Sequence, residues 1–307
     1  AVLTAEGQIE RRKFSRPAAA RAPTPRLGQW SLLAVCEEPR SEEQDWRKLE
    51  RPRDADRLGV AQGYLWYRVD IDQPRPRKRS LLLPDCEDRA IVFVNGTKVG
   101  VWGRGPGAAR RPLPASFRKG RNVVTLLVDN LGRLDGGDRM GELKGLFGHL
   151  HDAKPLRPAK PKLTRQESFP RRIIPRQLAH VVPRLEGRPV WRAEIQLSLP
   201  KVVPIHMVLD ELDHEVAVLC NERVVAFFPD ASRNFGEVTL IRELKKGRNA
   251  ITLLLWGDVD AKALDHSLRF YALQENLSSG GQWWWRPWAV PTGPGAKQPR
   301  NRPGWFV

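Results

Sequence analysis

The sequence predicts an all-β protein of two tandem, internally duplicated β-sandwich domains, and three observations carry that reading. First, Ala90-Ile-Val-Phe-Val-Asn-Gly-Thr-Lys-Val-Gly-Val-Trp102 sets β-branched and aromatic runs on either side of Asn95-Gly96. That dipeptide takes the positive φ angles of a tight hairpin turn. Second, the turn Lys119-Gly-Arg-Asn122 releases the apolar run Val123-Val-Thr-Leu-Leu-Val128, rich in strand formers and too short for a helix in isolation. Third, the unit appears twice. Asp88-Arg-Ala-Ile-Val-Phe-Val-Asn-Gly96 lies on His214-Glu-Val-Ala-Val-Leu-Cys-Asn-Glu222 without a gap, and Lys119-Gly-Arg-Asn-Val-Val-Thr-Leu-Leu127 on Lys246-Gly-Arg-Asn-Ala-Ile-Thr-Leu-Leu254. A further pair, Trp66-Tyr-Arg68 and Val190-Trp-Arg192, precedes them in the same order. Each copy is about a hundred residues long, enough for a core of its own.

Taken in order, residues 1–25 form a basic arm rich in Ala, Pro and Arg. The first sandwich is expected over residues 26–153. It opens with Trp30 and the strand-like Ser31-Leu-Leu-Ala-Val35, and continues through Trp46-Arg-Lys-Leu49 to a strand at Gly63-Tyr-Leu-Trp-Tyr-Arg68. Leu81-Leu-Leu83, the Asn95-Gly96 hairpin and the run from Val123 complete it. Residues 154–175 read as a stiff basic connector, from Lys154-Pro-Leu-Arg-Pro-Ala-Lys-Pro-Lys162. The second sandwich is expected over residues 176–290, with strands at 190–199, 206–209, 215–220, 224–228, 238–242, 249–256 and 267–273. Gly280-Gly-Gln-Trp-Trp-Trp-Arg-Pro-Trp288 closes it, and residues 291–307 form a tail of Pro, Gly and Arg.

Composition supports packed cores joined by many turns: of 307 residues, 41% are hydrophobic, 26 are Pro and 25 are Gly. Lys and Arg outnumber Asp and Glu by 52 to 35, a net charge of +17, which favours polyanionic or acidic partners. Much of the excess lies in Arg11-Arg-Lys-Phe-Ser-Arg16, in residues 154–176 and after Gln298. It reads as solvated connecting segments, and secondly as a basic arm against an acidic neighbour in an assembly. No zinc finger, basic zipper or aromatic RNA-binding motif accompanies it, which argues against nucleic acid. No apolar run approaches the roughly 20 residues of a membrane span, and no signal-peptide pattern opens the chain. The expectation is a soluble protein, its compartment open between extracellular, surface-associated and virion settings.

Chemistry-bearing clusters are sparse. Cys36, Cys86 and Cys220 lack metal-ligand spacing and read as small apolar residues. His149-Leu-His151 puts two imidazoles on one side of a strand without a third ligand, so no metal site is assigned. Asp85, Asp88, Asp129, Asp135, Asp138 and Glu142 could supply a carboxylate pair, but carboxylates in loops and at strand ends more often solvate turns. No catalytic residue is assigned.

The order of motifs in the first copy resembles the non-catalytic, galactose-binding-like jelly-roll β-sandwich domains of family 35 β-galactosidases, and more distantly those of family 2 glycosidases. The resemblance rests on Gly63-Tyr-Leu-Trp-Tyr-Arg68, the hairpin Asp88 to Gly96, Lys119-Gly-Arg-Asn122, Asn130-Leu-Gly-Arg133 and Lys144-Gly145-Leu146. It covers about Trp30 to Leu150 and extends more loosely to the second copy, where Trp256-Gly-Asp-Val259 replaces the Asn-x-Gly-Arg element. The resemblance implies two jelly-roll sandwiches without catalysis of their own, the parent enzymes carrying a separate (β/α) barrel with two carboxylates about 5 Å apart when retaining. Strand and helix patterns do not alternate here as such a barrel needs.

The implied function is a carbohydrate-binding-type module, either free-standing or the accessory part of a larger glycoside hydrolase. Sugars need an aromatic platform beside a few polar groups. Trp102, Arg104, Asp129, Asn130 and Arg133 are the candidates for a galactoside-like glycan, with core packing of Trp102 and turn-locking by Asn130 and Arg133 as the plain alternative. Trp283, Trp284, Trp285 and Trp288 are candidate packing or interface residues. No cofactor is implied, apart from a structural Ca²⁺ known in some related sandwiches, for which Asp135-Gly-Gly-Asp138 is the oxygen-rich stretch. The alternative function is a structural or adhesion subunit of a virion or cell-surface assembly, contacting protein partners or itself through the basic arm and Trp-rich tail.

Overall fold

The computed structural model describes residues 2–3, 9–10, 35–42, 45–105, 107–132, 142–229 and 235–291. The chain divides into two units, Cys36–Val290 and a smaller one of Ala1–Val35 with Pro291–Val307. In the smaller unit the described elements are β1 (Val2–Leu3) and β2 (Ile9–Glu10), an antiparallel pair. The strand expected at 31–35, apart from Val35, lies outside the described residues, as do Arg133, Asp135, Asp138 and the tail beyond 291.

The larger unit is built of antiparallel strands. Its first half comprises β3 (Arg47–Leu49), β4 (Gly63–Gln73), β5 (Arg77–Leu82), β6 (Cys86–Glu87), β7 (Arg89–Val94) and β8 (Thr97–Gly103). It continues with β9 (Leu113–Phe117), β10 (Gly120–Asn130), β11 (Gly145–Leu146) and β12 (His151–Leu156). The second half comprises β13 (Lys162–Gln166), β14 (Val190–Leu199), β15 (Ile205–Asp210), β16 (Glu215–Cys220), β17 (Arg223–Phe228), β18 (Phe235–Leu240), β19 (Gly247–Trp256) and β20 (Leu268–Asn276). A last strand, β21 (Trp283–Pro287), follows. The helices are short: α1 (Val182–Leu185), α2 (Ala261–Ser267) and two 3₁₀ turns over Arg171–Ile173 and Arg176–Val181, where a domain start was expected.

Strand order recurs between the halves. One sheet runs β3-β21-β4-β10-β7-β8, another β13-β14-β19-β16-β17, and a third, β18-β15-β20-β12-β5-β9, takes three strands from each half. The third sheet lies between two cores because successive side chains on a strand face opposite sides. Thus β20 gives Tyr271 and Leu273 to the first core and Phe270 and Ala272 to the second. The stretch read as a connector supplies the end of β12, paired with β20, and β13, paired with β14.

The hairpin turns recur in detail. Asn95 and Gly96 adopt φ of 50° and 77°, and Asn221 and Glu222 adopt 48° and 66°. Asn95 Nδ2 donates to Asn122 Oδ1 at 2.9 Å, and Asn221 Nδ2 to Asn249 Oδ1 at 2.9 Å. The Asn122 amide nitrogen donates to the Arg118 and Gly120 carbonyls, as that of Asn249 does to Lys245 and Gly247. These buried amides tie two turns together in each half and satisfy backbone groups that no ladder reaches.

Register corrects one of the sequence matches. Leu127 lies opposite Trp66, whereas its counterpart Leu254 lies opposite Arg192. The residue in the place of Trp66 is therefore Arg192, two positions beyond the Val190 chosen from sequence. A shift of two keeps every side chain on its face, so the alternating pattern alone could not reveal it. The Trp-rich stretch also has a definite place. β21 inserts between β3 and β4, pairing Trp283 with Val69 and Trp285 with Tyr67, in the slot that β13 fills beside β14.

Candidate functional site

The ladders bring Arg104, Asp129 and Asn130 to one end of the first sheet. Tyr64 lies opposite Asp129, Asp129 opposite Arg89, and Arg89 opposite Gly103. Their neighbours Leu65, Val128 and Ala90 enter the core, so Tyr64, Asp129 and Arg89 share the outer face. Trp288 extends the row: its N–H donates to the Tyr64 carbonyl at 3.1 Å, and its ring stands edge-on to Tyr64 with centroids 5.8 Å apart. Arg89 Nη2 donates to Asp129 Oδ2 at 2.7 Å. Tyr64 is 43% exposed, a value that makes its ring available to a ligand.

Gly103 makes the turn behind this row. Its φ is +109°, and a Cβ there would stand 2.3 Å from the Asp88 carbonyl oxygen, so no larger residue fits. The turn carries Arg104, which is half-buried. Lys144 Nζ bridges Asp88 and Glu142, at 2.6 Å to each, and Asp88 also accepts from the Leu131 N–H at 3.0 Å.

The other sequence-derived candidates have different surroundings. Trp102 is fully enclosed in the first core, with the Arg110 guanidinium 5.9 Å from its ring centroid. Asn130 points inward, donating to the Val60 carbonyl and accepting from the Gly132 N–H, which locks the turn after β10. Trp283 and Trp285 are buried in the first core, while Trp284 lies on the outer face, 5.2 Å from the Arg68 guanidinium, whose other aromatic neighbour is Trp46 at 5.9 Å. Tyr64 and Arg89 were missed as candidates. Alternation from the core residues Leu65 and Ala90 was the available signal, since it puts both on the outer face.

A second polar cluster joins the halves from within. Arg110, almost wholly buried, donates to Glu87 of β6 and Glu237 of β18, and His206 Nε2 lies 3.4 Å from Glu237. Burial pushes the Glu87 carboxyl above the usual range. Burial acts the same way on Glu237, but His206 and Arg110 outweigh it and hold that carboxyl low. Burial also raises Asp85 and, with His149 and His206 nearby, lowers His151 to about 4. These groups face one another, and the arrangement is that of a buried ionic tie.

Other features carry less chemistry. Burial raises the thiols of Cys86 and of Cys220, the latter to about 11, which makes both poor nucleophiles. Among the described residues no group of three or more His, Cys, Asp or Glu side chains is placed to hold a metal ion. Among them, too, no helix is long and apolar enough to cross a membrane. A groove of about 460 Å³ at the far end of β4 is lined by Asp70, Asp72, Arg121 and Gln282 and lacks an aromatic ring.

With this geometry in place, the relatives can be named. Residues 52–155 match the family model of the beta-galactosidase first all-beta domain. A beta-galactosidase of Xanthomonas manihotis is 30% identical over 122 residues, 40% of this chain and 19% of that protein. The resemblance read from the motifs thus holds over this segment, which is similar to an all-β domain of beta-galactosidases. Among solved structures, a beta-glucuronidase of Bacteroides uniformis is similar at 12% identity and a TM-score of 0.27, over 74% of this chain and 27% of its own. A GH2 beta-galacturonidase of Eisenbergiella tayi bound to glycerol is similar at 15% identity and a TM-score of 0.25, over 64% of this chain and 31% of its own. The chain therefore spans about a fifth of the curated relative and under a third of these structures.

Proposed function

We propose that this chain is a non-catalytic accessory module of the β-galactosidase type, formed by duplication of a galactose-binding-like jelly-roll sandwich, and that it binds saccharide at the end of its first half. The two sandwiches meet within residues 154–175, with β12 (His151–Leu156) ending the first half, β13 (Lys162–Gln166) opening the second and β21 returned to the first sheet. The repeated strand order and the paired asparagine ties support the duplication.

The observation that carries the binding reading is the row of Trp288, Tyr64 and Arg89 on the outer face, with Asp129 buried between them and paired to Arg89. An aromatic ring available to C–H faces stands beside hydrogen-bonding groups suited to hydroxyls. The carboxylates at this end are engaged by Arg89 and Lys144, which suits orientation of polar groups rather than proton transfer. The test is titration of the intact chain against a glycan array, alongside assay with a nitrophenyl galactoside. Saccharide binding without nitrophenol release is expected. Failure to bind any saccharide, or hydrolysis by the purified chain, would overturn the reading.

A further inference from the structure

The corresponding row of the second half shows what the fold does when this end is closed. There Val190 lies opposite Trp256, and Trp256 opposite Glu215. Val190 and Trp256 are buried with Ile174, Val181, Val182 and Leu185, and Phe169 stands 6.3 Å from the Trp256 ring. Glu215 is paired with Arg188 at 2.9 Å. In the first half the same three positions hold Tyr64, Asp129 and Arg89, and the exposed Tyr64 ring meets solvent.

Charge distinguishes the two ends of the open row. Trp288 and Tyr64 are aromatic, whereas the other end carries Arg89, with Arg104 on the adjoining turn. Within the ion pair the cation is the outer member: the Arg89 side chain is 31% exposed and that of Asp129 only 7%. Asp129 takes the Nη2 donor, and a guanidinium carries five N–H groups in a planar fork that matches carboxylate and sulfate. Neighbouring strands are about 4.8 Å apart, so Arg89, two strands from Tyr64, lies about 10 Å away, beyond the reach of a single stacked pyranose.

We propose that this row takes an acidic saccharide of at least two units, one ring stacked on Tyr64 and Trp288 and a carboxylate or sulfate of the next unit held by Arg89. The proposal rests on the saccharide-binding reading above and adds the ligand's charge, its minimum length and the place of each unit.

The experiment is calorimetric titration of the intact chain with digalacturonate and with galactobiose, which share ring stereochemistry and differ in carrying carboxylates or neutral hydroxymethyl groups. At low salt digalacturonate should bind at least tenfold more tightly, with the advantage shrinking as salt rises. Tyr64→Ala and Trp288→Ala should each weaken both ligands tenfold or more. The double variant Arg89→Gln/Asp129→Asn, which removes both charges together, should abolish the preference and its salt dependence, digalacturonate then binding no more tightly than galactobiose. Equal affinity of the native chain for the two disaccharides would overturn the acidic assignment and leave saccharide binding standing. Unaltered binding by a Tyr64→Ala protein with native unfolding behaviour would overturn the site. Binding of neither disaccharide would overturn the proposal, and silence across the glycan array would remove the reading beneath it.

Discussion

The two halves share a frame and differ at one end. In both, a buried asparagine ties two turns, and the same strand order carries the core. At the other end the second half covers its outer face with the segment containing α1 and the 3₁₀ turns, and the row beneath is Val190 and Trp256. The first half leaves Tyr64 exposed and sets an ion pair beside it. A residue that both halves retain is explained by the frame. The row exposes an aromatic ring in the first half alone, so the frame does not require that exposure, and the proposed saccharide site makes use of it.

The largest test of the shared frame is removal of its ties. Asn122→Ala would leave the Arg118 N–H and two carbonyls unpaired in a buried site, at a cost of about 3 kcal/mol. Asn249→Ala should cost a similar amount in urea unfolding, because the Lys245 N–H and two carbonyls are orphaned in the same way. A neutral result in one half would break the equivalence.

The divergent end gives an opposed pair. Val190→Ala should lower stability by about 2 kcal/mol through loss of buried contacts. Tyr64→Ala, at an exposed position, should lower it by less than about 1 kcal/mol and act on ligand binding instead. Thermal unfolding of both variants reads the difference, and a large destabilisation by Tyr64→Ala would assign that ring to packing.

Acidification acts on the strand where the halves meet. His151 is held at about 4, below its ordinary 6.5, so its neutral form is the one the fold favours. That contribution is complete above pH 6.5 and is lost as pH falls towards 4. His151→Asn should flatten this part of the stability–pH curve, measured by urea midpoints at half-unit intervals. The smallest effect is expected at the second hairpin, where Glu222 holds a φ of 66° that Gly96 adopts freely in the first. Glu222→Gly should raise stability by up to about 1 kcal/mol, a gain read from the thermal midpoint.

Much of this frame was legible in the sequence because its signals are local. Asn95-Gly96 and Lys119-Gly-Arg-Asn122 announce their turns, and the apolar runs between them announce strands. Long-range features left no comparable trace. Nothing near Trp283 indicates that β21 pairs with Val69, and Glu87, Arg110, His206 and Glu237 meet only because the third sheet joins the halves. The candidate site was legible in part. Asp129 and Arg104 do lie together at one end of the first sheet, Trp102 proved to be core, and Tyr64 and Arg89 emerge only when register puts them in one row.

The most direct measurement is a chemical-shift titration of the intact, isotope-labelled chain with digalacturonate. The account predicts saturable shifts at the Trp288 indole, Tyr64, Asp129 and Arg89, with their counterparts Trp256, Val190 and Glu215 unmoved. Shifts centred on the second half, or spread over basic turns without saturation, would contradict it.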